Sequence, residues 1–320
     1  MEFINTLEKK ASKLKGIIVL PEANLDKRVY DACVKILERD ISKIIVFGKP
    51  GEFGEEFKNK NCEIIDIPNF EKLSVYANEL YELRKEKGMD LETAKQLILR
   101  PDYFAMMLLK AGYADGVVAG AKWSTANTLR PALQIIRAKP GKSLVTGVML
   151  MVKEGCEPKV FADVSLIENP TSDQLAEIAI SSAEFYETIT SEKAKVAMLS
   201  YSTKGSAKSE MVDKVSVASE LAKIKSDYLI DGEMQADCAL DKDTATKKGI
   251  TSQVAGQANV LVFPDLNAGN IGYKLVARLG GYTAIGPVML NFNKPVNDLS
   301  RGCTVDEIIN TVVITKLLIN

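Results

Sequence analysis

Short apolar runs alternate along the chain with longer stretches in which apolar positions recur every three or four residues. The runs include GIIVLPE (16–22), KIIVFG (43–48), GVVAG (116–120), SLVTGVMLM (143–151), KVFADV (159–164), AKVAMLSYS (194–202), NVLVFPDL (259–266) and GPVMLNF (286–292). Rich in β-branched residues and bounded by Gly, Pro, Asn or Asp, they read as buried strands. Helical patterns lie between them. TSDQLAEIAISSAEFY (171–186), for example, puts Leu175, Ile178, Ala179 and Ser182 on one face. This alternation predicts α/β layers around a largely parallel sheet. The opening MEFINTLEKKASKLKG sets Phe3, Ile4, Leu7, Ala11 and Leu14 at helical spacing with lysines between, a surface helix too polar for a secretion signal. RAKPGKSL (137–144) breaks the pattern at Pro140-Gly141 and is either a domain boundary or a loop within one domain.

A chain of 320 residues allows two or three domains with real cores. Hydrophobic residues make up 46% and charged residues 26%, with a net charge of −1, so no basic excess points to nucleic acid. No apolar run is long enough to span a bilayer, and the protein reads as cytoplasmic and not membrane-bound. Five scattered cysteines without a CxxC pair fit reduced thiols better than disulfides or a zinc site. The most informative feature is the complete absence of histidine. It excludes Ser-His-Asp and Cys-His catalysis and His-ligated metals, leaving Asp, Glu, Lys, Tyr, Cys or water to move protons.

In an open α/β sheet ligands bind beyond the carboxyl ends of strands, so the loops after strands matter most. GAKWSTANTLRPALQII (120–136) collects Ser124, Thr125, Asn127 and Thr128 ahead of a helical run. Thr128 reads as an N-cap, with Pro131 and Arg130 in the first turn. That is either a capped helix with a solvated arginine or an anion site of backbone N–H groups, hydroxyls and a guanidinium. LSYSTKGSAKSE (199–210) is a polar loop lacking the Walker A spacing. PDLNAGNIGYKL (264–275) offers the amides of Asn267 and Asn270, while Gly269 and Gly272 serve either close backbone approach or helix packing. GxGxxG is absent, against a dinucleotide site. In NDLSRGCTVDE (297–307), Thr304 and Glu307 fit a capping box, with Ile308, Ile309, Val312 and Val313 facing a core. Arg301 then stands at the positive end of a helix dipole, unfavourable for a cation unless an anion sits there too.

Together, STANTLRPALQII, SYSTKGSA, DGEMQADCAL, FPDLNAGNIGYKL and PVNDLSRGC resemble phosphate acetyltransferase (phosphotransacetylase) over nearly the whole chain and in the right order. The resemblance implies two α/β domains of the isocitrate/isopropylmalate dehydrogenase-like type with a cleft between them. The first is discontinuous, residues 1–142 plus 300–320, and the second covers 143–299. It implies interconversion of acetyl-CoA plus phosphate with acetyl phosphate plus CoA, usually by a homodimer. CoA and acetyl-CoA serve as substrates, and no cofactor is permanently bound and no metal required.

Carried over by motif position, Ser300 and Arg301 are the catalytic pair, and Arg84, Arg130 and, more loosely, Arg28 hold phosphate or CoA. Ser124, Thr125, Thr128, Asn267 and Cys303 line the binding site, Cys303 without being a nucleophile. The family's proposed general base, an aspartate, is replaced at its position by Glu307, with Asp306 beside it; either carboxylate could serve. Trp123 stands where many relatives have histidine, and Asn127 replaces an aspartate. Two other readings remain: a butyryl-transferring relative, since one methylene changes affinity by only about 1–3 kcal/mol, and a non-catalytic acetyl-CoA-sensing module. An NAD-dependent dehydrogenase of the same fold is disfavoured by the missing fingerprint.

Overall fold

The computed structural model describes residues 2–319; Met1 and Asn320, the ends of the expected first domain, lie outside the described residues. In chain order the first elements are α1 (Glu2–Lys13), β1 (Ile17–Leu20), α2 (Lys27–Glu38), β2 (Lys43–Phe47), β3 (Cys62–Ile65), α3 (Leu73–Arg84), α4 (Leu91–Leu97), α5 (Pro101–Lys110), β4 (Gly116–Ala119) and α6 (Thr125–Ile135). Then come β5 (Thr146–Val152), β6 (Lys159–Ala162), α7 (Ser172–Thr190), β7 (Lys195–Leu199), α8 (Glu210–Lys225), β8 (Leu229–Met234), α9 (Ala236–Leu240), α10 (Lys242–Lys247), β9 (Val260–Val262), α11 (Leu266–Gly280) and β10 (Thr283–Leu290). β11 (Val296–Asp298) and α12 (Val305–Leu317) close the chain.

Two compact units result, one of residues 2–140 with 292–319 and one of 141–291. The first break falls at Pro140-Gly141. The return comes at Phe292 rather than at residue 300, because β11 is a strand of the first unit: Val296, Asn297 and Asp298 pair in parallel with Val117, Val118 and Ala119. One further expected strand boundary shifts, and three strands are unexpected. β10 begins at Thr283, before Gly286-Pro287, and pairs antiparallel with β5 across an irregularity between Ile285 and Val288. β3, β8 and β11 carry Glu, Asp, Gly or Asn among few apolar positions, which hides them from a hydrophobicity pattern.

The sheet of the first unit has five strands in the order β11-β4-β1-β2-β3, all parallel. β1, β2 and β4 at its centre are nearly continuous apolar runs, as buried parallel strands require. α12 shows how the sequence builds a helix that packs on this sheet. Thr304 Oγ1 accepts the Glu307 N–H at 3.2 Å and Glu307 Oε2 accepts the Thr304 N–H at 2.7 Å, a closed capping box. Ile308, Ile309, Val312 and Val313 are then buried. The sheet of the second unit has six strands in the order β10-β5-β6-β9-β7-β8, with β10, β5 and β6 antiparallel and the rest parallel. Among the described residues no helix is long and apolar enough to cross a membrane.

Candidate functional site

β11, β4 and β1 lie side by side in parallel, so the segments that leave their carboxyl ends meet at one edge of the first unit. Glu22 follows β1. Its side chain is 1% exposed, and its carboxylate is an acceptor for four consecutive backbone N–H groups. Gly120 and Ala121 donate to Oε2 at 2.7 and 3.0 Å; Lys122 and Trp123 donate to Oε1 at 2.9 and 3.0 Å. A buried carboxylate is tolerable when paired this fully, and it fixes the loop that feeds α6. Gly120 turns that loop at φ +107°, and a Cβ there would run into Asp298 Oδ1 and come within 2.9 Å of the Leu299 nitrogen.

Arg28 joins the same edge to the turn after β11. Asp26 caps α2, and the Arg28 guanidinium lies on its carboxylate, Nε to Oδ1 at 3.1 Å and Nη2 to Oδ2 at 2.8 Å. That guanidinium holds the Asp26 carboxyl below its usual value. Nη1 donates to the carbonyls of Arg301 and Cys303 at 2.7 and 2.9 Å, and Nη2 donates to the Ala121 carbonyl at 2.9 Å. These bonds use all five N–H donors of an arginine. Arg28, expected among the phosphate- or CoA-binding residues, has its fork engaged with protein acceptors and holds the turn that carries Arg301.

In that turn the Ser300 carbonyl accepts the Cys303 N–H at 2.9 Å, and Ser300 Oγ accepts the Gly302 N–H at 3.3 Å. The Arg301 side chain is exposed, and among the described residues its guanidinium has no hydrogen-bond or ion-pair partner. Burial pushes the Cys303 thiol up to about 11, Arg28 pulling against it. A thiol so raised is not a ready thiolate. Glu307 is half-buried and engaged in its capping box, whereas Asp306 is exposed with Lys35 Nζ at 3.8 Å.

α6 starts one turn earlier than expected. Ser124, not Thr128, is the N-cap, its Oγ accepting the Asn127 N–H at 3.3 Å. Thr128 is fully buried inside the helix, and Pro131 and Arg130 fall in the second turn. The Glu22-bound loop ends at Trp123, so Ser124 is the first residue free to cap. The exposed Thr125 and the buried Thr128 both place their hydroxyls beside the carboxyl of Asp298, which ends β11. Arg130 and Arg84 flank Tyr103: burial pushes the Tyr103 phenol up and Asp102 adds to this, while the charges of Arg100, Arg130 and Arg84 pull it back. Arg100 is ion-paired with Asp102 at 2.6 Å. Arg84 and Arg130 have no carboxylate partner among the described residues, and Arg84 Nε is buried without a hydrogen bond.

Asn267 belongs to the second unit, exposed on the first turn of α11. There a Cβ on Gly269 would overlap the Asp163 carbonyl, so this glycine serves close packing of the helix. The polar loop after β7 satisfies itself: buried Glu233 accepts from Ser202 Oγ at 3.0 Å and the Gly205 N–H at 2.7 Å. Lys204 Nζ donates to the Gly232 carbonyl at 2.8 Å. No metal-binding group of His, Cys, Asp or Glu occurs among the described residues.

Sequence reasoning missed two residues at this edge, Glu22 and Asp298. Glu22 closes the apolar run GIIVLPE, and Asp298 follows Asn297 at the end of the short PVND stretch; that is the only signal they give.

Residues 2–316 match the sequence model of the phosphate acetyl/butaryl transferase family. The chain is 48% identical to a phosphate acetyltransferase of Acetivibrio thermocellus, over 99% of this chain and 98% of that one. Among solved structures it is similar to a phosphotransacetylase from Streptococcus pyogenes, with a TM-score of 0.92 at 41% identity over 99% and 97% of the two chains. A Staphylococcus aureus phosphotransacetylase gives 0.89 at 41% over 99% and 98%. Matched over nearly its whole length by sequence and by fold, the chain belongs to the phosphate acetyl/butaryl transferase family.

Proposed function

We propose that this protein interconverts acetyl-CoA plus phosphate with acetyl phosphate plus CoA, working in the cytoplasm as a homodimer of isocitrate/isopropylmalate dehydrogenase-like fold. The observation that carries the reading is the Ser300–Cys303 turn. It presents an unpaired guanidinium at the carboxyl edge of a parallel sheet, held there by Arg28, in a chain of this family. Acetyl phosphate and a CoA thiolate are both anionic, so their approach needs cations. Arg301, with Arg84 and Arg130, supplies guanidinia free to bind phosphate in a bidentate manner, which lysine does not reproduce.

The thiol, with a pKa near ~8.5, must lose its proton. Glu307 and Asp306 are the candidates the motif supplies. The thiolate attacks the acetyl carbonyl, and the C–O bond to phosphate breaks. Ser300 Oγ and the backbone N–H groups of its turn are suited to hold the developing oxyanion or the leaving phosphate. Ser124, Thr125, Thr128 and Cys303 shape the surroundings in the first unit, and the motif position of Asn267 makes it a binding residue of the second.

The test is thioester formation by purified protein with CoA and acetyl phosphate, with butyryl phosphate in parallel. Fast turnover with acetyl phosphate and little with butyryl phosphate is expected. Faster turnover with butyryl phosphate would move the substrate assignment to the longer acyl chain. Saturable CoA binding without turnover would make the protein a sensor.

A further inference from the structure

The buried carboxyl of Asp298 has no structural task that explains it. It is 2% exposed, and Oδ1 completes no hydrogen bond. Thr128 Oγ1, wholly buried beside it, completes none either. The neighbouring charged groups do not neutralise it. Glu22, after β1, is a second carboxylate and repels it. Arg28, at the start of α2, has committed all its donors to Asp26 and to three backbone carbonyls. Cys303, in the turn before α12, is a buried thiol. Gly120, directly after β4, leaves the room that Oδ1 fills. A buried carboxyl without an ion pair is destabilising, and such groups persist where function needs them.

Two features say what the function is. Asp298 is two residues from Ser300, and the hydroxyl of the exposed Thr125 lies beside its carboxyl. We propose that Asp298, rather than Glu307 or Asp306, receives the thiol proton, reached through the Thr125 hydroxyl. This rests on the acyl-transfer reading above. The S–H proton passes to Thr125 Oγ1 as the hydroxyl's own proton passes to the Asp298 carboxylate. The sulfur electron pair then forms the C–S bond, and the C–O bond to phosphate breaks with its pair on the phosphate oxygen. The proton returns through Thr125 to that phosphate, and Asp298 is ionised again. Burial, with Glu22 adding, pushes the Asp298 carboxyl up to about 6 against the pull of the two threonine hydroxyls. That makes it a stronger base than an exposed carboxylate at about 4, yet still mostly ionised at neutral pH.

The experiment measures kcat against pH for wild type, Asp298→Asn, Glu307→Gln, Thr125→Val and Thr125→Ser. Wild type should show an acid limb near pH 6. Asp298→Asn should lose at least a hundredfold in kcat at pH 7.5 and lose the limb, while Glu307→Gln keeps it. Thr125→Val, with Asp298 intact, should lose at least tenfold, and Thr125→Ser should recover most of that. Melting, which needs no turnover, checks the buried charge: Asp298→Asn should melt about 5 °C above wild type at pH 8, the gap closing toward pH 4. A full acid limb in Asp298→Asn, or undiminished kcat in Thr125→Val, would overturn the relay while leaving the activity standing. Wild type without any turnover would overturn the activity and the relay with it.

Discussion

Replacing Glu22 by glutamine tests the idea that one buried carboxylate shapes the loop before α6. Each of its oxygens takes two N–H groups, Gly120 and Ala121 on one and Lys122 and Trp123 on the other. However the glutamine amide of Glu22→Gln is turned, its NH2 faces two of these donors. Two charge-assisted bonds are lost outright, and the other two lose their charge. At roughly 1.5–3 kcal/mol for a bond to a charged group, local stability should fall by about 3–6 kcal/mol. Every 1.4 kcal/mol is about tenfold, so exchange of these four amides should speed up by about a hundredfold to ten-thousandfold. Hydrogen exchange over residues 116–124 reads this directly, with Glu71→Gln, on the exposed surface, as the control. Turnover should fall as well, because the loop sets where α6 and Thr125 begin. Exchange altered by less than about threefold, with unchanged melting, would show that the loop holds its shape without the carboxylate, and the reasoning would fail.

Arg28→Lys keeps the charge but offers three donors for five acceptor contacts, so melting temperature and kcat should fall together. A raised KM for acetyl phosphate with normal melting would instead return Arg28 to phosphate binding. Arg301→Ala should lower turnover by at least about a hundredfold, ~3 kcal/mol of transition-state stabilisation, with stability changed by less than about 0.5 kcal/mol, since its side chain touches no protein partner; near-normal turnover would remove it from the chemistry. Glu307→Gln should slow turnover more than Asp306→Asn, because Glu307 anchors Thr304, the residue after the Ser300–Cys303 turn, and both should slow it less than Asp298→Asn; steady-state kinetics of the three variants at one pH gives the order. Ionising Asp298 also has a sign for stability. The folded carboxyl titrates near 6 and the unfolded one near ~4, so the stabilising contribution is complete below about pH 4 and lost as pH rises through 6, about 3 kcal/mol in all; pH-dependent melting of wild type against Asp298→Asn measures it.

Much of this protein is written in local patterns. Apolar runs ending in Gly, Pro or Asp mark most strands, since a buried parallel strand needs apolar residues on both faces. The capping box of Thr304 and Glu307 is legible because both partners lie within one turn. The family is legible from long motifs. Tertiary structure decided the rest. β11 has only Val296 to announce it and becomes a strand because β4 offers an open edge. Thr128 looks like a helix cap, yet Ser124 takes that place, because Glu22, nearly a hundred residues earlier, ends its grip on the loop at Trp123. Arg28 reads as a phosphate ligand, and only the structure shows its five donors reaching Asp26, Ala121, Arg301 and Cys303, most of them remote in sequence. Asp298 looks like an ordinary turn residue, and only its burial beside Glu22 and the α6 threonines makes it chemically distinctive. A sequence states which groups are present; solvation and hydrogen-bond partners, which set what a carboxylate or a guanidinium can do, come from the packing of distant segments.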